Sequence, residues 1–282
     1  MSRILKAVLL AALAGLANIA AGAAPEPLVF AIHPFLPPAD LQARFTPLAN
    51  LLGAATGRPV IVRVGRTYEE HDEAIGTDAV DIAYMGPAAY VSVVSRYGPK
   101  PILARQVVHG DPMLRGEIIV RQDSAIESLQ ELKGKRFAFG DRLSAGSYVV
   151  AAAMLRQAGV PESALGSRSF LGSHKNVALA VLAGDYDAGA VDEQVFDAYA
   201  ERGLRSLAPQ TPVPEYLVIT SAKLPAALRD TLRRTLLHLQ DSAEGRAAMA
   251  GLEPDFTQFV PAQDSDYDGL RAIMRAAQQG AR

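Results

Sequence analysis

The sequence predicts an α/β protein of mainly parallel sheets arranged as two lobes, and three observations carry that prediction. Short apolar runs alternate with longer amphipathic stretches along most of the chain, the order of repeated βα units. Apolar residues make up 49 % of the 282, enough to bury a sizeable core. Two proline-marked stretches, "HGDPMLRGE" (109–117) and "PQTPVPEYL" (209–217), bracket a block of roughly 100 residues, a normal domain size. If both are crossovers, the block is a lobe inserted into the other. The expected boundaries are 24–113 with 214–282 for the first lobe and 114–213 for the second.

Taken in order, residues 1–23 read as a segment apart from the fold. Arg3 and Lys6 precede an apolar run from about Ala7 to Ala20, and Ala21-Gly22-Ala23 fits an A-x-A cleavage pattern, so this is a signal peptide cut after Ala23. The run is short for a membrane span, which needs roughly 20 residues; an uncleaved anchor is the alternative. The chain has no cysteine, hence no disulfide and no lipid-anchoring thiol. The expected location is the periplasm. Removing the segment takes two cations and no acid, so the net charge moves from −2 to −4. That balance argues against a nucleic-acid partner, and a bound anion needs a local site.

"PLVFAIHPF" (27–35) reads as a strand, and 39–57 as a helix with Leu41, Phe45, Leu48, Leu51 and Leu52 on one stripe and Gly57 at its C-cap. Strands follow at 59–65 and 81–86, with a helix from Pro87. Two more strands lie at 100–108 and 116–122. The second block repeats the pattern: strand 135–140, helix 146–158, strand 167–172, helix 174–184, strand 187–192, helix 194–202. A late strand (214–221) and helical stretches at 224–239, 241–250 and 264–279 close the chain. In open α/β sheets ligands sit beyond the carboxyl ends of the strands, so the cleft between the lobes is the expected site.

One candidate stands out there. In "FAFGDRLSAGSYVV" (137–150) a strand hands over to a helix through two serines and a glycine. Ser144 is placed to cap the helix. Gly146 permits close backbone approach, Ser147 adds a hydroxyl, and the helix start has free N–H groups. The stretch is therefore an oxyanion cradle or an ordinary cap. His174 sits at a second strand-to-helix junction, where an imidazole can donate to an anion. Tyr68 falls in a loop after a strand, a ligand position; Tyr84 and Tyr90 read as core or cleft wall. Ser144, His174 and Asp192 contain the residue types of a hydrolase triad, but no G-x-S-x-G elbow accompanies them. His33, His71, His109, His174 and His238 show no metal-ligand spacing, and no P-loop is present. No metal, cofactor or enzymatic activity is expected.

Four motifs in fixed order then resemble one family. "VDIAYMGPAAYV" (80–91), "SLQELKGKRFAFGDRLSAGSYV" (128–149), "GSHKNVALAVLAGDYDAGAVDE" (172–193) and "VPEYLVITSAKLP" (213–225) are similar to the phosphate/phosphite/phosphonate-binding proteins of ABC importers. The resemblance implies a type II periplasmic-binding clamshell with two crossover hinges, a small oxyanion ligand and a membrane permease as partner. Signalling to a membrane sensor kinase is the alternative role. A monomer is expected. The family's D-P-x-S-T-S-G run is matched by Ser144, with Ala145 and Gly146 replacing Thr and Ser, and Ser147 one place later. The family His is matched by His174 and a loop Tyr by Tyr68. Leu114 replaces a further Tyr, with Arg115 adjacent as a compensating cation. Asp192, Glu193, Gln194, Glu215 and Tyr216 stand near positions that amino-phosphonate binders use against an ammonium group, but the match is inexact and no aminoalkyl ligand is predicted.

Overall fold

The computed structural model describes residues 25–279. The expected signal segment, residues 1–23, lies outside the described residues. The chain begins with β1 (Leu28–Ile32), α1 (Pro38–Thr56), β2 (Val60–Val64), α2 (Tyr68–Gly76), β3 (Ile82–Met85), α3 (Pro87–Tyr97) and β4 (Ile102–Val108). Two-residue β5 (Met113–Leu114) leads into β6 (Gly116–Arg121), β7 (Arg136–Phe139), a π-helical turn (Ala145–Val149) continuing as α4 (Val150–Gln157), β8 (Ser167–Phe170), α5 (His174–Leu182), β9 (Ala188–Asp192), α6 (Glu193–Ala200) and β10 (Leu204–Pro209). Two-residue β11 (Val213–Pro214) returns the chain to β12 (Leu217–Thr220), α7 (Ala226–Leu237), α8 (Ala243–Leu252), β13 (Phe256–Val260) and α9 (Asp268–Gln279).

Two sheets result, ordered β13-β4-β12-β3-β1-β2 and β10-β6-β9-β7-β8. Within each, the strands of the βα units pair in parallel, β1 with β2 and β3, β7 with β8 and β9. The strands that lead away from the crossovers run the other way: β12 against β3 and β4, β6 against β9 and β10. The crossovers themselves pair as β5 and β11, antiparallel, with Leu114 opposite Val213. The chain thus passes twice between sheets through one narrow ribbon.

The central strands are nearly continuous apolar runs, as expected of strands covered on both faces. β3 is buried throughout, as is β9. On α1 the predicted stripe packs inward at Leu41, Phe45, Leu48 and Leu52, and Gly57 ends the helix in the left-handed region. One core fills the first sheet's surroundings and takes in Ala145, Val149 and Val150 from the second lobe. Two smaller clusters cover the two faces of the second sheet.

Three elements were absent from the sequence reading. α2 occupies the expected loop, so Tyr68 is the first residue of a helix; Thr67 caps it by accepting the Glu70 N–H at 3.1 Å. The spacing Thr67-x-x-Glu70 is a helix-start signal that the short polar segment masked. β10 and β13 each lie at one edge of their sheet, with exposed or half-buried polar positions that interrupt the apolar pattern.

Candidate functional site

The carboxyl ends of five strands converge between the sheets. His33 follows β1, Gly86 follows β3, Ser144 lies just beyond β7, His174 just beyond β8, and Asp192 ends β9. Residues after β2 bring Tyr68.

The turn after β7 is built locally. Asp141 accepts the Leu143 N–H at 2.8 Å and sets the approach. Ser144 is extended (φ −84°, ψ 128°), and its Oγ accepts the Ser147 N–H at 3.1 Å, a side-chain N-cap. The Ser144 carbonyl accepts the Val149 N–H at 3.0 Å, five residues on, which opens the first turn into a π-helix. Ala145 faces the first lobe's core, so its methyl is packing and only its backbone is polar. The Gly146 carbonyl accepts Gln210 Nε2 at 2.7 Å, tying the turn to the second crossover. Ser147 Oγ is turned back to the loop, where the Asp141 N–H reaches it at 3.4 Å. That hydroxyl therefore staples the turn and does not replace the missing family serine.

His174 is the first residue of α5, capped by Ser173, and is 2 % exposed. Its Nε2 lies 3.0 Å from Ser144 Oγ. Its Nδ1 accepts the Asp192 N–H at 2.9 Å and stands 3.2 Å from the Asp192 carboxylate. Nδ1 thus faces both a donor and an acceptor of Asp192, and the direction of the Ser144–His174 bond follows the ring tautomer. The Ser144/His174/Asp192 set is contiguous and hydrogen-bonded. Burial works against the Asp192 charge, but His174 and the Val195 N–H that Asp192 caps hold its carboxyl below the usual range.

The first lobe supplies the opposite wall. The Tyr68 hydroxyl faces Ser144 without closing a well-formed hydrogen bond, and is buried without a partner. Burial first, then the charges of Asp141 and Asp192, push its phenol well above the usual range, so it is a donor. The Tyr68 ring packs edge-on to His33 at 3.8 Å. His33 accepts the Gly86 N–H at its Nδ1 (3.1 Å) and is 1 % exposed. Sequence reasoning weighed it only as a metal ligand; its place directly after a buried strand was the available signal.

Beside this cradle, toward the crossovers, lies a cavity of about 50 Å³. Tyr84 and Tyr216 stack along it, 5.3 Å between ring centroids, and Asp192, Glu215 and Glu253 contribute carboxylates. Burial and then the neighbouring Glu253 push Glu215 well above the usual carboxylate range. Glu253 is raised to about 7 by burial and then by Asp192. Arg115 also lines the cavity, but Asp111 holds its guanidinium at 2.6 Å on the exposed side, so it does not supply the cradle's missing cation. Tyr84 donates to Gln106 and belongs to this cavity wall. Tyr90 points elsewhere: its hydroxyl donates to Asp264 at 2.6 Å and its ring packs on Tyr267. Among the described residues, no Lys or Arg pairs with Tyr68, Ser144 or His174, and no group of three His, Asp or Glu is placed to hold a metal. A set of hydroxyl and imidazole donors with free N–H groups at a helix start binds an oxyanion.

Comparison with known proteins agrees in kind. Residues 30–267 match the family model described as the periplasmic substrate-binding protein of phosphonate ABC transporters. The phosphate-import protein PhnD of Mycolicibacterium smegmatis is 28 % identical over 277 residues, covering 88 % of this chain and 85 % of that one. PhnD1 of Prochlorococcus marinus, solved in complex with methylphosphonate, superposes with a TM-score of 0.82 at 19 % identity, over 89 % of this chain and 98 % of that one. A binding component of an ABC phosphonate transporter from Pseudomonas aeruginosa gives a TM-score of 0.81 at 22 % identity, over 90 % and 87 %.

Proposed function

The chain belongs to the periplasmic substrate-binding family of phosphonate ABC transporters, and from that premise we propose that it captures a phosphonate, phosphite or phosphate ion in the interlobe cleft for a membrane permease. The observation that carries the ligand class is the Ser144 hydroxyl, buried at a helix start, accepting the Ser147 N–H, 3.0 Å from His174 Nε2 and facing Tyr68 of the other lobe. Importer components among the relatives support transport over signalling to a kinase. No helix among the described residues is long and apolar enough to cross a membrane. We read the mature protein as a monomer freed of residues 1–23, with no nucleic-acid partner.

Calorimetry against phosphate, phosphite, methylphosphonate and sulfate tests the reading. One or more of the phosphorus oxyanions binds, and Ser144→Ala weakens it by about 10–100-fold, the worth of a hydrogen bond to a charged group. Silence toward all of them overturns the assignment.

The cavity favours a second, narrower reading. Its Glu215 and Glu253, raised by burial and by neighbouring carboxylates, ionise most readily beside a cation, so a ligand with its oxyanion in the cradle extends a neutral or cationic group between Tyr84, Tyr216 and Glu215. An aminoalkylphosphonate that binds more tightly than the alkylphosphonate of equal length supports it; equal or weaker binding rejects it.

A further inference from the structure

Two histidines in this cleft are held by the same device, one from each lobe. On the second lobe the Asp192 N–H donates to His174 Nδ1. On the first lobe the Gly86 N–H donates to His33 Nδ1. In His33 the backbone amide fixes the lone pair on Nδ1 and the hydrogen on Nε2. His174 Nε2 meets Ser144 Oγ at 3.0 Å. His33 Nε2 has no such partner: it is buried without any hydrogen bond. A buried donor left without an acceptor keeps the full penalty of its lost hydration, so a fully buried imidazole N–H beside a ligand cleft requires an acceptor from elsewhere.

The surroundings say which acceptor. The His33 ring lies against Tyr68, whose hydroxyl is also unpartnered and faces Ser144. His71 lies behind it, tilted by 30° with 5.3 Å between ring centroids. Gly86 has no Cβ, and one placed there would sit 3.4 Å from the imidazole, against the ring that the glycine amide anchors. We propose that His33 is a ligand-binding residue, the first-lobe counterpart of His174, and that its Nε2–H donates to the bound oxyanion when the cleft is closed. This rests on the oxyanion reading above and deepens it. The anion is gripped between two imidazoles and two hydroxyls, one of each from either lobe. Burial, then the neighbouring His71 and His174, hold His33 far below its ordinary pKa, so it acts as a neutral donor across the neutral pH range.

The test is a pair of substitutions with opposite chemistry, measured by calorimetry with phosphate, phosphite and methylphosphonate. In His33→Asn the amide oxygen still accepts the Gly86 N–H, but the Nε2 donor is gone; affinity is expected to fall about 10–100-fold. His33→Gln returns an amide N–H near the lost position and is expected to recover part of that loss. Thermal melting of both variants checks that they fold, and in the wild-type protein a ¹H–¹⁵N spectrum of the imidazoles should report the Nε2–H form for His33, shifting on ligand addition. Wild-type affinity in His33→Asn alongside a weakened Ser144→Ala overturns this inference and leaves the oxyanion reading standing. An Nδ1–H form of His33 overturns it as well. A wild-type protein that binds none of the three anions overturns both.

Discussion

Gly140 shows how closely single residues are fitted at this site. A Cβ there would lie 2.3 Å from Ser147 Oγ and 2.8 Å from its Cβ, so the hydroxyl that staples the turn occupies the space a side chain would take. Gly140→Ala must displace Ser147 and with it the π-turn. We expect a loss of about 1–3 kcal/mol in urea denaturation, the usual cost of overpacking, together with weakened anion binding. Unchanged stability would mean that the turn accommodates the methyl and that Ser147 is not a staple. The neighbouring Ala145 is legible in the same terms. Its methyl joins the first lobe's core, so the position that carries a hydroxyl in the family pattern here contributes interlobe packing.

At the scale of the element, α2 matters because it begins with a ligand candidate. Tyr68 is its first residue, and the Thr67 cap orders that end. Thr67→Ala should cost about 1 kcal/mol of stability and loosen anion binding, because fraying reaches Tyr68 first. Glu70→Ala removes the exposed pair with Arg66 and the Arg66 N–H that Glu70 accepts at 3.2 Å, leaves the Thr67 cap in place, and should cost less stability than Thr67→Ala with the affinity unchanged. Equal effects of the two substitutions would show that the cap does not position Tyr68. The π-turn before α4 has a similar role: its widened first turn brings the Gly146 carbonyl to Gln210 on the crossover, coupling the anion cradle to the hinge.

The whole molecule carries two pH dependences. Asp72 of the first lobe is buried with both oxygens unpartnered, and burial first, then Asp141 of the second lobe, push its carboxyl well above the usual range. Hinge opening hydrates such a group, so the closed form holds a proton that the open form gives up. Closure is therefore favoured below the raised pKa and opposed as pH rises through it. Asp72→Asn removes the ionisation, and its affinity relative to wild type should grow with pH; a ratio constant from pH 5 to pH 8 would refute the coupling. Glu253 affects folding itself. Its carboxyl is raised from 4.5 to about 7 by burial and Asp192, with Gln106 opposing. The folded state then keeps a proton that the unfolded chain releases, so stability falls as pH rises between about 4.5 and about 7. Glu253→Gln should flatten that part of the melting-temperature profile.

The sequence by itself determined the α/β class and the order of most elements, because buried parallel strands and capped amphipathic helices write their periods locally; the clamshell followed from two proline-marked crossovers and from the resemblance of four ordered motifs to a family. It also brought forward Ser144 and His174, since a serine cap and a helix-start imidazole are local patterns. Only the tertiary structure decided what those groups do. The partners of His174 depend on Asp192, 18 residues away, whose amide and carboxylate both meet its Nδ1. The role of Arg115 depends on Asp111 drawing it aside, and that of Tyr90 on Asp264, 174 residues on. His33 carried no local signal beyond its place after a strand. Its significance comes from Gly86, Tyr68 and the facing lobe, and hydrogen-bond direction between distant segments has no period a sequence can show.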